Sequence, residues 1–314
     1  MRLEPFISKK DTQKGQVFII IILLFMVISI IVLAVSSRSI TDIKISQTSE
    51  ESARAFSAAE AGIEEAVEKI RANPADPGSG RTITSDELPS NAEATYTIAV
   101  QAGSTKAFLS PTQLISDVQT FQAYLADYLA DPNLLTGNYS GQHICILWGD
   151  LGGDVAAIEA TVIYKDTSVP PKIVSKRFAF DPSTRAGMPA PQASNCATNV
   201  AAADNNLGVD RTFAFAHKLS LVPPEIPGAA FCAPGVKCLQ LFRIRLLFNP
   251  SAPQYVGVLP QGSETLPPQG YKIESTGSVP EGGTKRKVQV FQSFPSLPTI
   301  FDFAIFNATG PLNK

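Results

Sequence analysis

The sequence predicts an α+β protein in which a long N-terminal helix, first transmembrane and then amphipathic, precedes a β-rich, mainly antiparallel globular head. Three observations support this fold class. An apolar run covers Val17–Val35, with Ser29 as its only polar residue. No proline interrupts residues 39–72, where apolar and small residues recur in steps of three and four. Beyond Gly80, short alternating segments are separated by turns rich in proline and glycine, which is typical of strands.

Charge and hydropathy exclude two broad classes of protein. The 314-residue chain has a formal net charge of −2, whereas a nucleic-acid-binding domain is expected to be strongly basic. The one basic triplet, Lys285-Arg286-Lys287, is interpreted as a solvated strand edge, so we see no clear nucleic-acid site. No second apolar run of eighteen residues follows Val35, which excludes a protein with several membrane spans.

The apolar run is long enough to cross a bilayer. Its nineteen residues form a helix of about 28 Å, close to the thickness of the hydrocarbon layer. Positive charges lie mainly before it, and only Arg38 follows closely. By the positive-inside bias, residues 1–15 form a cytoplasmic leader and the bulk of the chain lies outside the cytoplasm. The predicted leader contains four basic and two acidic residues, namely Arg2, Lys9, Lys10, Lys14, Glu4 and Asp11.

Three fates of this N-terminal segment follow from the residues. A cleavable secretory signal is disfavoured because the run exceeds the usual apolar region, and Ala34-Val35-Ser36 matches a signal-peptidase site only loosely. An uncleaved signal anchor is the second alternative. The third is cleavage between Gly15 and Gln16, which would leave the apolar segment at the new N-terminus.

The helical pattern continues past the membrane segment. We expect one helix over residues 16–72, transmembrane at 17–35 and amphipathic at 36–72, which gives a length of about 85 Å. The prolines and glycines of 73–80 form a linker that ends it. A helix of this length requires lateral support from a partner helix, a filament or its own head. The expected apolar stripe contains Ile40, Ile43, Ser52, Phe56, Ala59, Ile63, Ala66, Val67 and Ile70.

Residues 81–314 form the predicted β-rich extracytoplasmic head. Ser110-Pro111 is expected to open an amphipathic helix that ends near Ala130. Residues 187–210 are small and polar, which indicates a surface loop, and residues 165–171 indicate a hairpin connection. The predicted strands are Ala94–Gln101, Ile144–Trp148, Ala157–Tyr164, Ile173–Phe180, Thr212–Leu221, Leu239–Phe248, Tyr255–Leu259, Tyr271–Ser275, Lys287–Phe294 and Thr299–Phe306, the last of which would close the sheet.

The head shows no pattern typical of an enzyme, a metal site or a cofactor site. His143 and His217 are the only histidines, and G-x-S-x-G, Walker A, H-E-x-x-H and zinc-type cysteine spacings are missing from the sequence. Four cysteines follow the membrane segment, where oxidising conditions favour disulfides. Cys232 and Cys238 enclose a short loop and form the favoured pair, with Cys145 and Cys196 as the remaining pair. The alternative is four free thiols.

The region from Lys14 to Lys69 resembles a known family. It combines a short basic leader that ends in glycine, an apolar segment directly after it and an uninterrupted amphipathic helix. The most specific stretch is ARAFSAAEAGIEEA (Ala53–Ala66), which is similar to the A-x-x-A-A-E-A-A/G segment of PilX-type minor pilins and pseudopilins. The N-terminal region therefore resembles type IV pilin-like proteins, whereas the head resembles a pilin head only in its β-rich texture.

This resemblance implies a structural subunit of a type IV pilus or a related secretion filament. A prepilin peptidase would cleave after Gly15 and leave Gln16 as the first mature residue. Major pilins carry a glutamate at the fifth mature position, where this chain has Ile20, and this departure favours a minor subunit. The implied partners are other pilin subunits and the inner-membrane assembly machinery. Helix packing in the membrane and in the filament would use Val17, Phe18, Ile20, Leu24, Ile28, Phe56, Ala59 and Ile63.

A second hypothesis belongs to another functional class. The chain would then be a single-pass, membrane-anchored binding protein or adhesin whose β-rich head captures a ligand outside the cytoplasm. The two hypotheses differ in the N-terminus of the mature chain, which is Gln16 in the first and Met1 in the second.

Overall fold

The computed structural model describes residues 16–88, 91–101, 106–114, 119–131, 139–153, 155–166, 172–222, 226, 237–249, 252–280 and 283–298. The predicted leader and the predicted strand Thr299–Phe306 lie outside these ranges.

A single helix opens the described chain. Helix α1 spans Gln16–Ala72, 57 residues, so the long helix expected from the sequence is present. Lys69 and Arg71 lie in its last turn, where positive charge complements the helix dipole. The amide of Asn73 still donates to the carbonyl of Lys69, and Pro74, which has no amide hydrogen, follows directly.

Strands make up most of the remaining regular structure. Each strand predicted before Thr299 coincides with an observed strand to within three residues at its ends, and β1, β3, β4 and β8 were not predicted. The strands are β1 Thr82–Ile83, β2 Glu93–Val100, β3 Phe108–Leu109, β4 Thr120–Tyr124, β5 His143–Asp150, β6 Ala157–Asp166, β7 Lys172–Phe180, β8 Asn199–Val200, β9 Arg211–Ser220, β10 Lys237–Leu247, β11 Val256–Pro260, β12 Gly270–Ser278 and β13 Lys285–Ser293.

The chain divides into two compact units. The first consists of Met1–Gly62, Thr82–Thr95 and Thr276–Val288. The second consists of Ile63–Arg81, Tyr96–Ser275 and Gln289–Lys314. One four-stranded sheet has the order β1–β2–β12–β13, and its first pair is antiparallel, with Thr82 opposite Thr95.

The second unit contains two further sheets, with strand orders β4–β10–β6–β7 and β3–β11–β5–β9–β8. Their described ladders are antiparallel. Both sheets contribute side chains to one buried cluster, which includes Trp148 of β5, Ile158 of β6 and Phe242 of β10. The buried cluster explains why the apolar strands of this unit could be recognised from their alternating pattern.

The predicted hairpin is confirmed. Strands β6 and β7 pair in antiparallel register from Ile158 opposite Phe180 to Asp166 opposite Lys172. The connection at 167–171 lies outside the described residues. Strand β7 is a sheet edge, and it carries exposed Lys172, Lys176 and Arg177, charges that oppose pairing with another chain.

The helix predicted from Ser110 to Ala130 is wrong. Over the described residues of this range, the chain forms a bridge from Leu114 to Gln254, strand β4 and a turn. Strand β4 buries Phe121 and Ala123, which alternate along the strand, and it pairs with β10. Because Phe121 and Leu125 satisfy the helical period as well, the sequence pattern was ambiguous, and pairing with β10 selects the strand.

The loop predicted at 187–210 is only partly irregular. It contains β8 and a 3-10 turn at Ala202–Asp204, and it buries Val200 and Asn205. The Asn205 side chain donates to the carbonyls of Ala201 and Val209 and accepts from the amides of Leu207 and Gly208. A polar side chain therefore organises this segment, which is why an apolar pattern does not reveal it.

Candidate functional site

The first half of α1 exposes a continuous apolar surface. Each large apolar side chain from Phe18 to Val35 is between 47% and 72% exposed. Among the described residues, one helix is long and apolar enough to cross a membrane, and this segment is part of it. An apolar surface of this extent marks a contact with lipid or with other protein. Of the predicted packing residues, Phe18, Ile20, Leu24 and Ile28 lie on this exposed surface, and Val17 lies in the helix.

The second half of α1 buries small residues. Ala55, Ala58, Ala59 and Gly62 are buried at spacings of three and four, whereas Phe56 is 46% exposed. The predicted stripe is therefore shifted by one residue at this point, because Ala55 rather than Phe56 faces inward. Ile40 and Ile43, at the start of the predicted stripe, are also exposed. From Ser52 onward, every residue of the stripe except Phe56 is buried or half-buried, and Ile63 is half-buried.

A glycine explains the small residues of the first unit. Gly277 of β12 lies against the backbone of α1 at Ala55 and Ala59. A Cβ atom at Gly277 would overlap the carbonyl oxygen of Ala55 and lie 2.7 Å from the backbone nitrogen of Ala59. The strand and the helix can approach this closely only because neither carries a bulky side chain at the contact.

Polar contacts flank this close approach. The Thr284 hydroxyl donates to a Glu51 carboxylate oxygen at 2.9 Å, and Arg286 Nε donates to the Ser52 hydroxyl at 2.7 Å. Arg286 belongs to the triplet that was interpreted as a solvated edge. The triplet is exposed, but Arg286 also ties β13 to the helix.

In the second unit, Glu65 joins the end of α1 to the residues that follow. Its carboxylate accepts hydrogen bonds from Arg81 at 2.6 and 2.9 Å and from the Tyr96 hydroxyl at 3.0 Å, and Lys69 lies 3.4 Å away. The Arg81 hydrogen bonds hold the pKa of Glu65 below its ordinary value, against the opposing effect of burial. Nothing in the sequence pattern points to Arg81 and Tyr96 as partners of Glu65, because they lie 16 and 31 positions away along the chain.

The three cysteines that the structure describes are all disulfide-bonded. Cys145, buried in β5, forms a disulfide with Cys196, which is the second of the two predicted pairings. Cys238 is also disulfide-bonded, and its predicted partner Cys232 lies outside the described residues. The thiol of Cys145 is therefore unavailable as a metal ligand beside His143, and the described residues contain no cluster of three or more metal-ligating side chains.

His217 is held in its neutral form within the second unit. Its ring stacks on Phe180 with centroids 3.6 Å apart, and Nδ1 accepts a hydrogen bond from the Gln192 amide at 2.9 Å. Burial lowers the pKa of His217 to about 4. Protonation at Nδ1 would break the hydrogen bond to Gln192.

The low pKa of His217 predicts acid sensitivity. Below about pH 6.5, the unfolded chain binds a proton at this histidine that the folded chain does not bind, so the free energy of unfolding decreases as pH falls. We expect a loss of about 2 kcal/mol between about pH 6.5 and about pH 4.5. Urea unfolding of the wild type and of His217→Gln across this range measures the effect. The expected result is a shallower pH dependence in the variant; parallel curves would show that His217 does not cause it.

The second unit also has a surface cleft of about 640 Å³. Phe108 and Phe291 meet edge-to-face in its wall with centroids 5.9 Å apart, and Lys106 and Lys272 line it. The Asn206 amide in the same wall is engaged with the backbone of Leu109. The cleft therefore offers aromatic surface, whereas its charged groups already serve the fold: Lys272 pairs with Glu274 at 2.6 Å, and Lys106 donates to the carbonyl of Ala203.

No protein-family model matches this chain, and no curated protein matches its sequence significantly.

Proposed function

We propose that this chain is a minor pilin or pseudopilin, a structural subunit of a type IV pilus or a related secretion filament. One observation carries the proposal: a single 57-residue helix begins at Gln16, directly after the predicted cleavage site, and exposes the large apolar side chains from Phe18 to Val35. In its second half, the segment that resembles the PilX-type proteins buries Ala55, Ala58 and Ala59.

The proposed mechanism is physical rather than catalytic. In the membrane, lipid covers the apolar surface between Phe18 and Val35, and the basic leader keeps the N-terminus in the cytoplasm. During assembly, contacts with neighbouring helices replace the lipid contacts. Phe56, exposed beyond the membrane segment, is available for the same lateral packing. The β-rich head remains outside and covers the helical core of the filament.

The residue at the fifth mature position distinguishes the kind of subunit. A glutamate there would place a carboxylate in an apolar environment, which is costly unless a partner neutralises it. The N-terminal amine of a neighbouring subunit is the partner that such a glutamate would have in a filament. Ile20 avoids the cost of the buried carboxylate, but its apolar side chain cannot pair with that amine. The chain therefore suits a minor position rather than the bulk of a filament.

Substitution of Gly15 tests the proposed processing. In cells with a functional prepilin peptidase, we expect Gly15→Trp to reduce cleavage at least tenfold, because a bulky residue blocks the site before the apolar segment. Immunoblots of membrane fractions distinguish the full-length and processed chains. Ser8→Trp, which makes the same substitution within the leader, is the control and should be processed normally. Normal processing of Gly15→Trp would contradict the proposal.

The cleft of the second unit favours a second candidate function. A membrane-anchored binding protein or adhesin would keep its N-terminal segment intact and use a surface of this kind for its ligand. A cleft of about 640 Å³ with Phe108 and Phe291 in its wall is compatible with capture of a small aromatic molecule.

A further inference from the structure

A second pocket, distinct from the cleft, has three aromatic rings in its lining. It has a volume of about 480 Å³ and lies wholly in the second unit. Tyr128, Tyr271 and Phe294 line it, with the Phe294 centroid 5.1 Å from that of Tyr128 and 5.5 Å from that of Tyr271. Tyr124 packs against both Tyr128 and Phe294. Arg71 is an exposed cation at its rim.

The chain itself runs along this pocket just before the described residues end. Phe294, Pro295 and Ser296 line the pocket. The Pro295 carbonyl accepts a hydrogen bond from Gln122 Nε2 at 3.3 Å, and the Leu297 amide donates to Gln122 Oε1 at 3.1 Å. Arg243 then donates to the Leu297 carbonyl at 3.0 Å. The exit of the chain is therefore fixed beside the pocket.

The sequence that follows is chemically suited to this pocket. Residues 299–306 read TIFDFAIF, so an extended segment would present Phe301, Phe303 and Ile305 on one face. Phe301 lies four residues after Leu297, a reach of about 13 Å for extended chain. Asp302, the only acidic residue of 299–314, would point to the other side.

The covalent connection of this segment to the pocket favours it over a separate ligand. Because the segment is covalently attached at the rim, its effective concentration is in the millimolar range, far above that of a separate ligand.

We infer that the aromatic pocket is a peptide-docking site and that its occupant is the chain's own segment 299–306. Phe301 and Phe303 pack into the pocket against Tyr128, Tyr271 and Phe294, and Asp302 stays on the opposite face. This docking covers apolar side chains of the segment that water would otherwise surround.

Photo-cross-linking of the full-length chain in detergent tests this inference. With p-benzoylphenylalanine in place of Tyr128, we expect mass spectrometry to find cross-links to residues 299–306 of the same chain. Mixing isotope-labelled and unlabelled chains separates intramolecular from intermolecular cross-links. The same probe in place of Tyr255, outside the pocket, is the control and should not reach this segment. Cross-links to another segment or to a second chain, or no cross-links at all, would overturn the inference.

Substitutions in the segment sharpen the test. Phe301→Ser combined with Phe303→Ser should reduce the cross-link yield at least fivefold, because both proposed anchors are lost. Phe306→Ser changes the opposite face of an extended segment and should leave the yield unchanged. Equal yields from the double variant and from the wild type would refute docking through these two rings. These outcomes do not depend on filament assembly, so they are independent of the proposed function.

Discussion

Removal of the Cys145–Cys196 disulfide should lower the free energy of unfolding by about 4 kcal/mol, since the bond closes a sequence separation of 51 residues. The bond limits the conformations of the unfolded chain, and this restriction increases with loop length. In the folded chain it also ties the irregular segment around Cys196 to the buried strand β5. Urea unfolding of a Cys145→Ala, Cys196→Ala variant in detergent measures the loss.

The single tryptophan makes this measurement specific. Trp148 lies on β5, fully buried and three residues after Cys145, so its fluorescence reports on the core around this strand. The variant Cys232→Ala, Cys238→Ala is a matched control. These cysteines enclose only five residues, so their predicted bond should contribute about 2 kcal/mol. An unchanged urea midpoint for Cys145→Ala, Cys196→Ala would show that the bond does not stabilise the fold.

Replacement of Gly277 by valine should destabilise the first unit by about 3 kcal/mol. The added side chain would collide with the backbone of α1 at Ala55 and Ala59, which cannot move aside as a flexible side chain can. The strand must separate from the helix, and the hydrogen bonds from Thr284 to Glu51 and from Arg286 to Ser52 would weaken with it. Thermal unfolding and amide hydrogen exchange at residues 51–62 measure the effect.

The neighbouring residue provides the control for this substitution. Thr276→Val introduces the same side chain on the same strand, but alternation along the strand directs it away from the face that Gly277 occupies. We expect its melting temperature to stay close to that of the wild type. If Gly277→Val were as stable as Thr276→Val, the close approach of β12 to α1 would not be required for the fold.

The sequence predicted the elements that local patterns encode. The long helix follows from its uninterrupted apolar and small residues, and strands such as β9 and β10 follow from their alternation. The segment from Ser110 to Ala130 failed because Phe121 and Leu125 fit both the helical and the strand period. Only pairing with β10, a partner more than 100 residues away, decides between them.

The contacts of the candidate site were less accessible from sequence. The segment Ala53–Ala66 was recognised through its resemblance to the PilX-type proteins, but nothing near it identified Gly277 as the packing partner. Glu65 receives its shortest hydrogen bond from Arg81 beyond the linker, and no pattern in the sequence connects these two residues. Such contacts depend on the tertiary fold, so a single sequence cannot specify them.

The proposed function requires the apolar helix to be the N-terminus of a processed filament subunit. Mass spectrometry of the mature protein, recovered from membrane and sheared-filament fractions, tests it most directly. We expect an N-terminal peptide that begins at Gln16, or at its cyclised form, with residues 1–15 removed. An intact Met1 on exported, mature protein would rule out a processed filament subunit and would favour a permanently anchored binding protein.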